Sequence, residues 1–323
     1  MKRTKILMAA LCMLSGVARA QSGVTLYGVI DTNIEYVNQR SSSTGASGPN
    51  FGVNTGGLAA SRFGFRGVED LGNGLRALFV LEGQFNSDTG SMVANPSGTR
   101  LFDRQAFVGL EDSSFGRLTF GRQYTSLFIG LASYSPTAYT LYEPFMFMTG
   151  LAYRSDNVVN YSGKFGPVAA RAHYSFGNGV YGPGETPGNA RANTGYGAAL
   201  DYSNGPFGVV IAYDQFNPTL PPPFADSGIG RFRKAALAGG YNIGAFRLTA
   251  GYRWGKDEFS NGVVAMRDDL FWAGVGYQAT PALNFVVAYY YDKLHTVRST
   301  PSGVSSPSPN PYQISFLTTY EFT

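Results

Sequence analysis

Apolar and polar side chains take turns along most of this chain with a period of two, the spacing of a strand that offers one face to grease and the other to water. The first such stretch puts Val24, Leu26, Ile30, Ile34 and Tyr36 on one side and Thr25, Asp31, Asn33 and Glu35 on the other. It predicts a strand running to Tyr36, followed by a Ser, Gly and Asn loop over 38–57. Further strands are predicted at 61–69, 75–85, 104–111, 116–123, 153–164, 168–176, 194–203, 207–216, 233–242, 246–256, 266–278, 284–293 and 312–322, fourteen in all. From residue 153 onward, short connections such as Asn204-Gly205-Pro206 and Ile243-Gly244-Ala245 interleave with long polar ones at 177–193, 217–232, 257–265 and 294–311. A soluble sandwich has no reason to keep that order. A transmembrane antiparallel β-barrel does, with short turns on one side of the membrane and long loops on the other. The fold class expected is therefore all-β.

One stretch breaks the pattern. Residues 124–150, YTSLFIGLASYSPTAYTLYEPFMFMTG, neither alternate nor carry the polarity of an exposed loop, and Glu143 is their only charge. Connections of this length are usually functional or disordered, and the aromatic content argues against disorder. Pro136 and Pro144 interrupt any long helix. The expectation is a loop that folds inward and narrows a water-filled channel.

Residues 1–20, with Lys2, Arg3 and Lys5, an apolar run from Ile6 to Leu14 and the small-residue site Ala18-Arg19-Ala20, read as a cleaved secretory signal, leaving one barrel domain over 21–323. That changes the charge balance. The full chain has 25 basic and 21 acidic residues, but four basic ones leave with the signal, so the overall excess carries no argument for a nucleic-acid partner. Cys12, the single cysteine, leaves too, which removes disulfide chemistry. Beyond the signal no apolar run approaches a membrane helix, whereas 42 Gly, 21 Tyr, 24 Phe and only 14% charge suit many short strands.

Three blocks carry a resemblance: Gln21 to Gly28 (QSGVTLYG), Ser61 to Gly72 (SRFGFRGVEDLG), and Arg104 to Leu110 (RQAFVGL) with Phe120-Gly121-Arg122-Gln123. Together they resemble the Gram-negative general porins, most closely the beta-proteobacterial branch. The resemblance implies a trimeric outer-membrane barrel of the 16-stranded type, each subunit holding a pore narrowed by its third external loop, here 124–150. It implies outer-membrane lipid and lipopolysaccharide as surroundings, the barrel-assembly machinery during insertion, and small ions and hydrophilic solutes as cargo, with no cofactor. Family members continue through a turn and two more strands, so the chain is expected to lack a last hairpin. Either the sequence is incomplete, or the product is truncated, or fourteen strands close by themselves.

By position in the matching blocks, Arg62, Arg104 and Arg154 are the expected wall arginines of the constriction, and Glu143 is the one acidic candidate on the loop. Arg62 lies opposite Phe63 and Phe65, which supports a lumen position. Arg104 shares parity with Ala106, Val108 and Leu110, so its placement rests on the resemblance. Arg122 shares parity with Leu118 and Phe120 and is expected at a rim or subunit contact. Asp31, Glu35, Arg66, Glu82 and Arg171 are secondary lumen charges. Fixed charge at a narrow point sets ion preference, and three arginines against one carboxylate favour anions, weakly, because salt screens such charges over about 8–10 Å. A general diffusion channel is expected, with a substrate-specific channel for small anionic or polar solutes as the alternative.

Enzymatic readings find little support. His173 and His295 are the only histidines, and neither has a serine and an acid beside it in any visible motif. Gly177 to Gly182 matches GxGxxG after a strand, but Pro183, Gly184 and Pro187 forbid the helix a dinucleotide site needs. Two histidines without cysteine give no strong metal site.

Overall fold

The computed structural model describes residues 23–41, 45, 47–95, 98–144, 148–150, 152–179, 184–219, 228–306 and 309–322. The expected signal segment, residues 145–147 of the inward loop and the second half of the GxGxxG match, 180–182, lie outside them. The strands are β1 Gly23–Val29, β2 Thr32–Ser41, β3 Ser47–Thr55, β4 Arg62–Gly72, β5 Leu75–Gln84, β6 Ala94–Asn95, β7 Gly98–Thr99, β8 Gln105–Asp112 and β9 Gly116–Tyr124. After the short helix α1, Ser126–Ala132, come β10 Arg154–Phe165, β11 Val168–Ser175, β12 Thr194–Asn204, β13 Phe207–Asn217 and β14 Ile229–Ile243. The series ends with β15 Phe246–Phe259, β16 Val264–Gln278, β17 Leu283–Val297 and β18 Tyr312–Tyr320.

Fourteen of these form one antiparallel sheet in the order β1-β4-β5-β8-β9-β10-β11-β12-β13-β14-β15-β16-β17-β18. Apart from β2–β3 and β6–β7, which pair outside this sheet, each strand pairs with the next along the chain, as antiparallel connections allow. Alternation then sorts the two faces. Leu200, Ile211, Leu237, Leu248 and Phe271 are exposed on one face, while Ala199, Ala212, Ala238, Thr249 and Trp272, each one step along the chain, are buried on the other. The sheet wraps around that second face. A single segment, 124–150, is touched by side chains from β11 through β18, which a flat sheet could not bring together.

The opening differs from the sequence expectation. β1 stops at Val29, and Thr32–Ser41 does not continue it in the wall but pairs with Ser47–Thr55 as a separate hairpin. Asp31 sets the break. Its carboxylate accepts from the backbone N–H groups of Gly57, Leu58 and Ala59 at 2.8, 2.8 and 2.7 Å, so the chain turns there and re-enters the wall at Arg62. Alternation persists through the break, which is why the periodic pattern reads as one strand.

Candidate functional site

The inward segment is seated by a wall built small. α1 begins at Thr125, whose hydroxyl caps the Phe128 N–H at 3.4 Å, and it buries Leu127 and Leu131 against Ala199, Val210 and Ala212 of β12 and β13. Beyond the helix, Pro136 rests on Gly274 of β16, where a Cβ would stand 2.5 Å from the proline ring. Gly251 likewise makes room for the ring of Trp272. That indole donates to the carbonyl of Tyr134 at 3.0 Å.

Polar latches fix the seat further. The Tyr134 hydroxyl donates to Asp201 at 2.8 Å, Arg247 donates to the Ser133 carbonyl, and Gln313 of β18 donates to the Tyr142 carbonyl. The Leu141 N–H reaches Gly57 at 3.1 Å. Burial is the first cause, and the neighbouring carboxylate the second, of phenol ionisation at Tyr139 and Tyr142 being pushed above its ordinary range.

Glu143 takes a different post from the one expected of it. It is only 4% exposed, and its carboxylate accepts from Ser135 Oγ at 2.5 Å, the Tyr139 N–H at 2.6 Å and the Tyr290 hydroxyl of β17 at 2.6 Å. The Tyr290 bond ties the segment to the wall, the bonds from Ser135 and Tyr139 brace the segment internally, and together they leave no carboxylate facing the opening. The inward loop therefore meets the channel with Ser, Thr, Ala and aromatic groups.

Arg62, Arg104 and Arg154 do converge. Arg104 Nε donates to Glu82 at 2.7 Å, its other nitrogens reach Gln84 at 3.1 Å and the Tyr124 hydroxyl at 2.6 Å, and Arg62 approaches Glu82 at 3.6 Å. Arg154 lies 3.8 Å from Asp103 and over the rings of Tyr124 and Tyr153. Parity alone would aim Arg104 outward. Its N–H donates to the Glu82 carbonyl, although the partner of Glu82 in the ladder is Gln105, so two residues stand against one. Such a bulge re-aims a side chain, here to the inner face. Beside this group Arg122 and Arg100 share Asp156 at 2.7 and 2.8 Å. The register shift between Ser155 and Val158 brings that carboxylate to them, and it spares Arg122 the lipid its parity would predict.

The other expected lumen charges scatter. Glu82 is buried between two arginines. Arg66 lies over the Tyr27 ring at 5.4 Å, and Arg171 lines a cavity of about 270 Å³ beneath α1 with Gln105, Asn160 and Ser162. Asp31 serves the turn already described, and Glu35 sits in the β2–β3 hairpin, accepting from Asn54 at 2.5 Å and Tyr142 at 3.1 Å.

A constellation that sequence spacing did not show surrounds His173. Ser126 donates its backbone N–H to Nδ1 at 3.1 Å and holds its hydroxyl 2.9 Å from the same atom. Asp214 lies 4.0 Å away and accepts the Leu127 N–H at 3.3 Å. Serine and acid crowd one ring nitrogen, whereas a nucleophilic triad uses opposite ones. The arrangement docks the start of α1 on β11 and β13.

The comparisons agree with this architecture. A family model described as Gram-negative porin matches residues 8–321. The chain is 32% identical over 284 residues to an outer membrane porin protein of Bordetella pertussis, covering 81% of this chain and 71% of that one. It is 33% identical over 261 residues to outer membrane porin protein 32 of Delftia acidovorans, covering 77% and 68%. Among solved structures, an anion-selective porin from Comamonas acidovorans matches with a TM-score of 0.69 and 27% identity over 85% of this chain and 80% of that one. OmpF of Salmonella typhi shares the fold at a TM-score of 0.64 and 17% identity, over 94% and 87%. With a match over nearly its whole length, a wall of antiparallel strands and a loop seated inside it, the chain belongs to the Gram-negative porin family.

Proposed function

We propose that this outer-membrane diffusion porin prefers anions, that Arg62, Arg104 and Arg154 supply the field at its narrowest point, and that it works as a homotrimer. The chain passes small hydrophilic solutes down their gradients. Its selectivity is carried by one observation: three wall arginines share two carboxylates, Glu82 and Asp103, while the one acid of the inward loop is spent on the latch to Tyr290. The excess charge is positive and nothing on the loop opposes it. Below the loop, the cavities lined by Arg171 and by Arg247 have no Asp or Glu in their walls. The solved anion-selective relative supports the same reading.

The inward aromatics favour a sieve over a specific binding channel. Tyr124 stacks on Phe128 at 4.5 Å, and Phe128 packs on Tyr139 at 4.7 Å and Tyr153 at 5.4 Å, so these rings are occupied by one another. No catalytic role enters this reading, because the His173 constellation is spent on docking α1.

Reversal potentials across planar bilayers in a potassium chloride gradient test the proposal. Chloride should be the more permeant ion, and a clear preference for potassium overturns it. Cross-linking of the outer-membrane protein tests the trimer.

A further inference from the structure

The inner wall under the inward segment carries a row of charges. Asp214, Lys234, Gly255 and Asp268 stand opposite one another in the ladders of β13 to β16, and Arg253, Asp257 and Asp292 share their face. Gly255 leaves the space in which the charges meet, since a Cβ there would strike the Arg253 guanidinium and the Asp268 carboxylate. Lys234 lies 3.5 Å from Asp257 and 3.8 Å from Asp268. Arg253 donates to Asp268 and lies 3.9 Å from Asp292. Two cations thus stand among four carboxylates.

The row is hidden from the channel. Lys234, Arg253, Asp257, Asp268 and Asp292 are each at most 9% exposed, and Asp214 accepts the Leu127 N–H of α1 at 3.3 Å. The inward segment supplies the cover: Pro144 borders a cavity beside Asp292, while Thr149 and Gly150 border one that Asp214 and Lys234 also line. Buried charges cost desolvation that their mutual attraction offsets only in part, so the stability of the wall does not call for an excess of acid there.

Fixed charge selects ions where water brings them close to it. With the segment seated, the constriction presents three wall arginines with Glu82 and Asp103, a single positive charge in excess. With the segment lifted, the four aspartates and Glu143 would meet lumen water, in which carboxylates are ionised at neutral pH. Only Lys234 and Arg253 oppose them. Three negative charges in excess then outweigh the single positive one.

We infer that Asp214, Asp257, Asp268 and Asp292 are a second, concealed set of selectivity residues, which turns the channel toward cations when the inward segment leaves its seat. The inference rests on the anion preference proposed for the seated channel.

Single-channel recordings of E143A in a potassium chloride gradient test it, because that substitution frees the segment from Tyr290 and still leaves the uncovered row acidic. The main level should reverse on the chloride side and the new level on the potassium side. In E143A/D268N/D292N the new level should shift toward chloride while the main level stays where it was. Neither oxygen of Asp292 accepts a hydrogen bond from the chain, so E143A/D292N disturbs the wall least and takes the place of the triple variant if that one fails to assemble; its new level should shift in the same direction. The main level tests the anion preference and the difference between levels tests the concealed acids, so the two readings fail separately. A new level that reverses where the main level does, a new level unmoved by the asparagines, or no new level at all overturns the inference.

Discussion

Replacing Glu143 by alanine should unseat the inward loop without unfolding the barrel. The carboxylate is 4% exposed and satisfies three donors, Ser135 Oγ, the Tyr139 N–H and the Tyr290 hydroxyl. An unpaired buried donor costs about 1–3 kcal/mol. The two hydroxyls can turn toward water admitted by the truncation, so the low end applies to each, and the loop should lose about 3 kcal/mol of docking energy. At roughly 1.4 kcal/mol per tenfold, the unseated fraction rises about a hundredfold. E143Q keeps an acceptor for Tyr290 and should lose about 1 kcal/mol. Glu143 makes no bond to the strand ladder, so heat denaturation of the barrel should stay near the wild-type value. Single-channel recordings should show new flicker in E143A, and amides over 134–143 should exchange faster with deuterium. If E143A conducts as quietly as the wild type with unchanged protection over those residues, the buried latch does not hold the loop.

Three further outcomes follow from the same geometry. Because Glu143 faces away from the opening, E143Q should shift the reversal potential far less than R62Q/R104Q, which should bring anion and cation permeabilities close to equal in the same gradient. Gly274→Val places a Cβ against Pro136, where 2.5 Å separates them, so the loop must move, and swelling of proteoliposomes in graded sugars should report a changed size limit while Gly276→Ala, with its nearest neighbour 3.7 Å away, should not. The phenols of Tyr134, Tyr139 and Tyr142 are held neutral, first by burial and then by Asp201, Glu143 and Glu35 respectively. Raised folded values mean that the contribution to docking is complete below about pH 10, the ordinary tyrosine value, and falls as pH rises through the folded values. Channel noise should therefore not change through these groups between pH 6 and pH 9, in round numbers about one unit below that value, and should grow above it.

The alternation of side chains determined the number of strands in the main sheet, the face that most of their residues show and the inward fate of the long non-alternating stretch, because a strand's two faces differ by one step in sequence and charge facing lipid is costly. Arg62 follows that period. Only the tertiary structure decided where the period fails. Asp31 ends β1 through bonds to amides that lie 26 to 28 positions away along the chain, and a bulge against Glu82 turns Arg104 inward against its parity. Glu143 looked like a pore acid because it was the loop's lone charge, and it became a latch because Tyr290, 147 positions on, reaches it once β17 closes behind the loop. Small residues such as Ala199 and Gly274 read as weak strand formers, and folding makes them the seat. Period is local and legible, whereas hydrogen-bond partners and packing depth depend on which distant strands the wrapped sheet brings opposite one another.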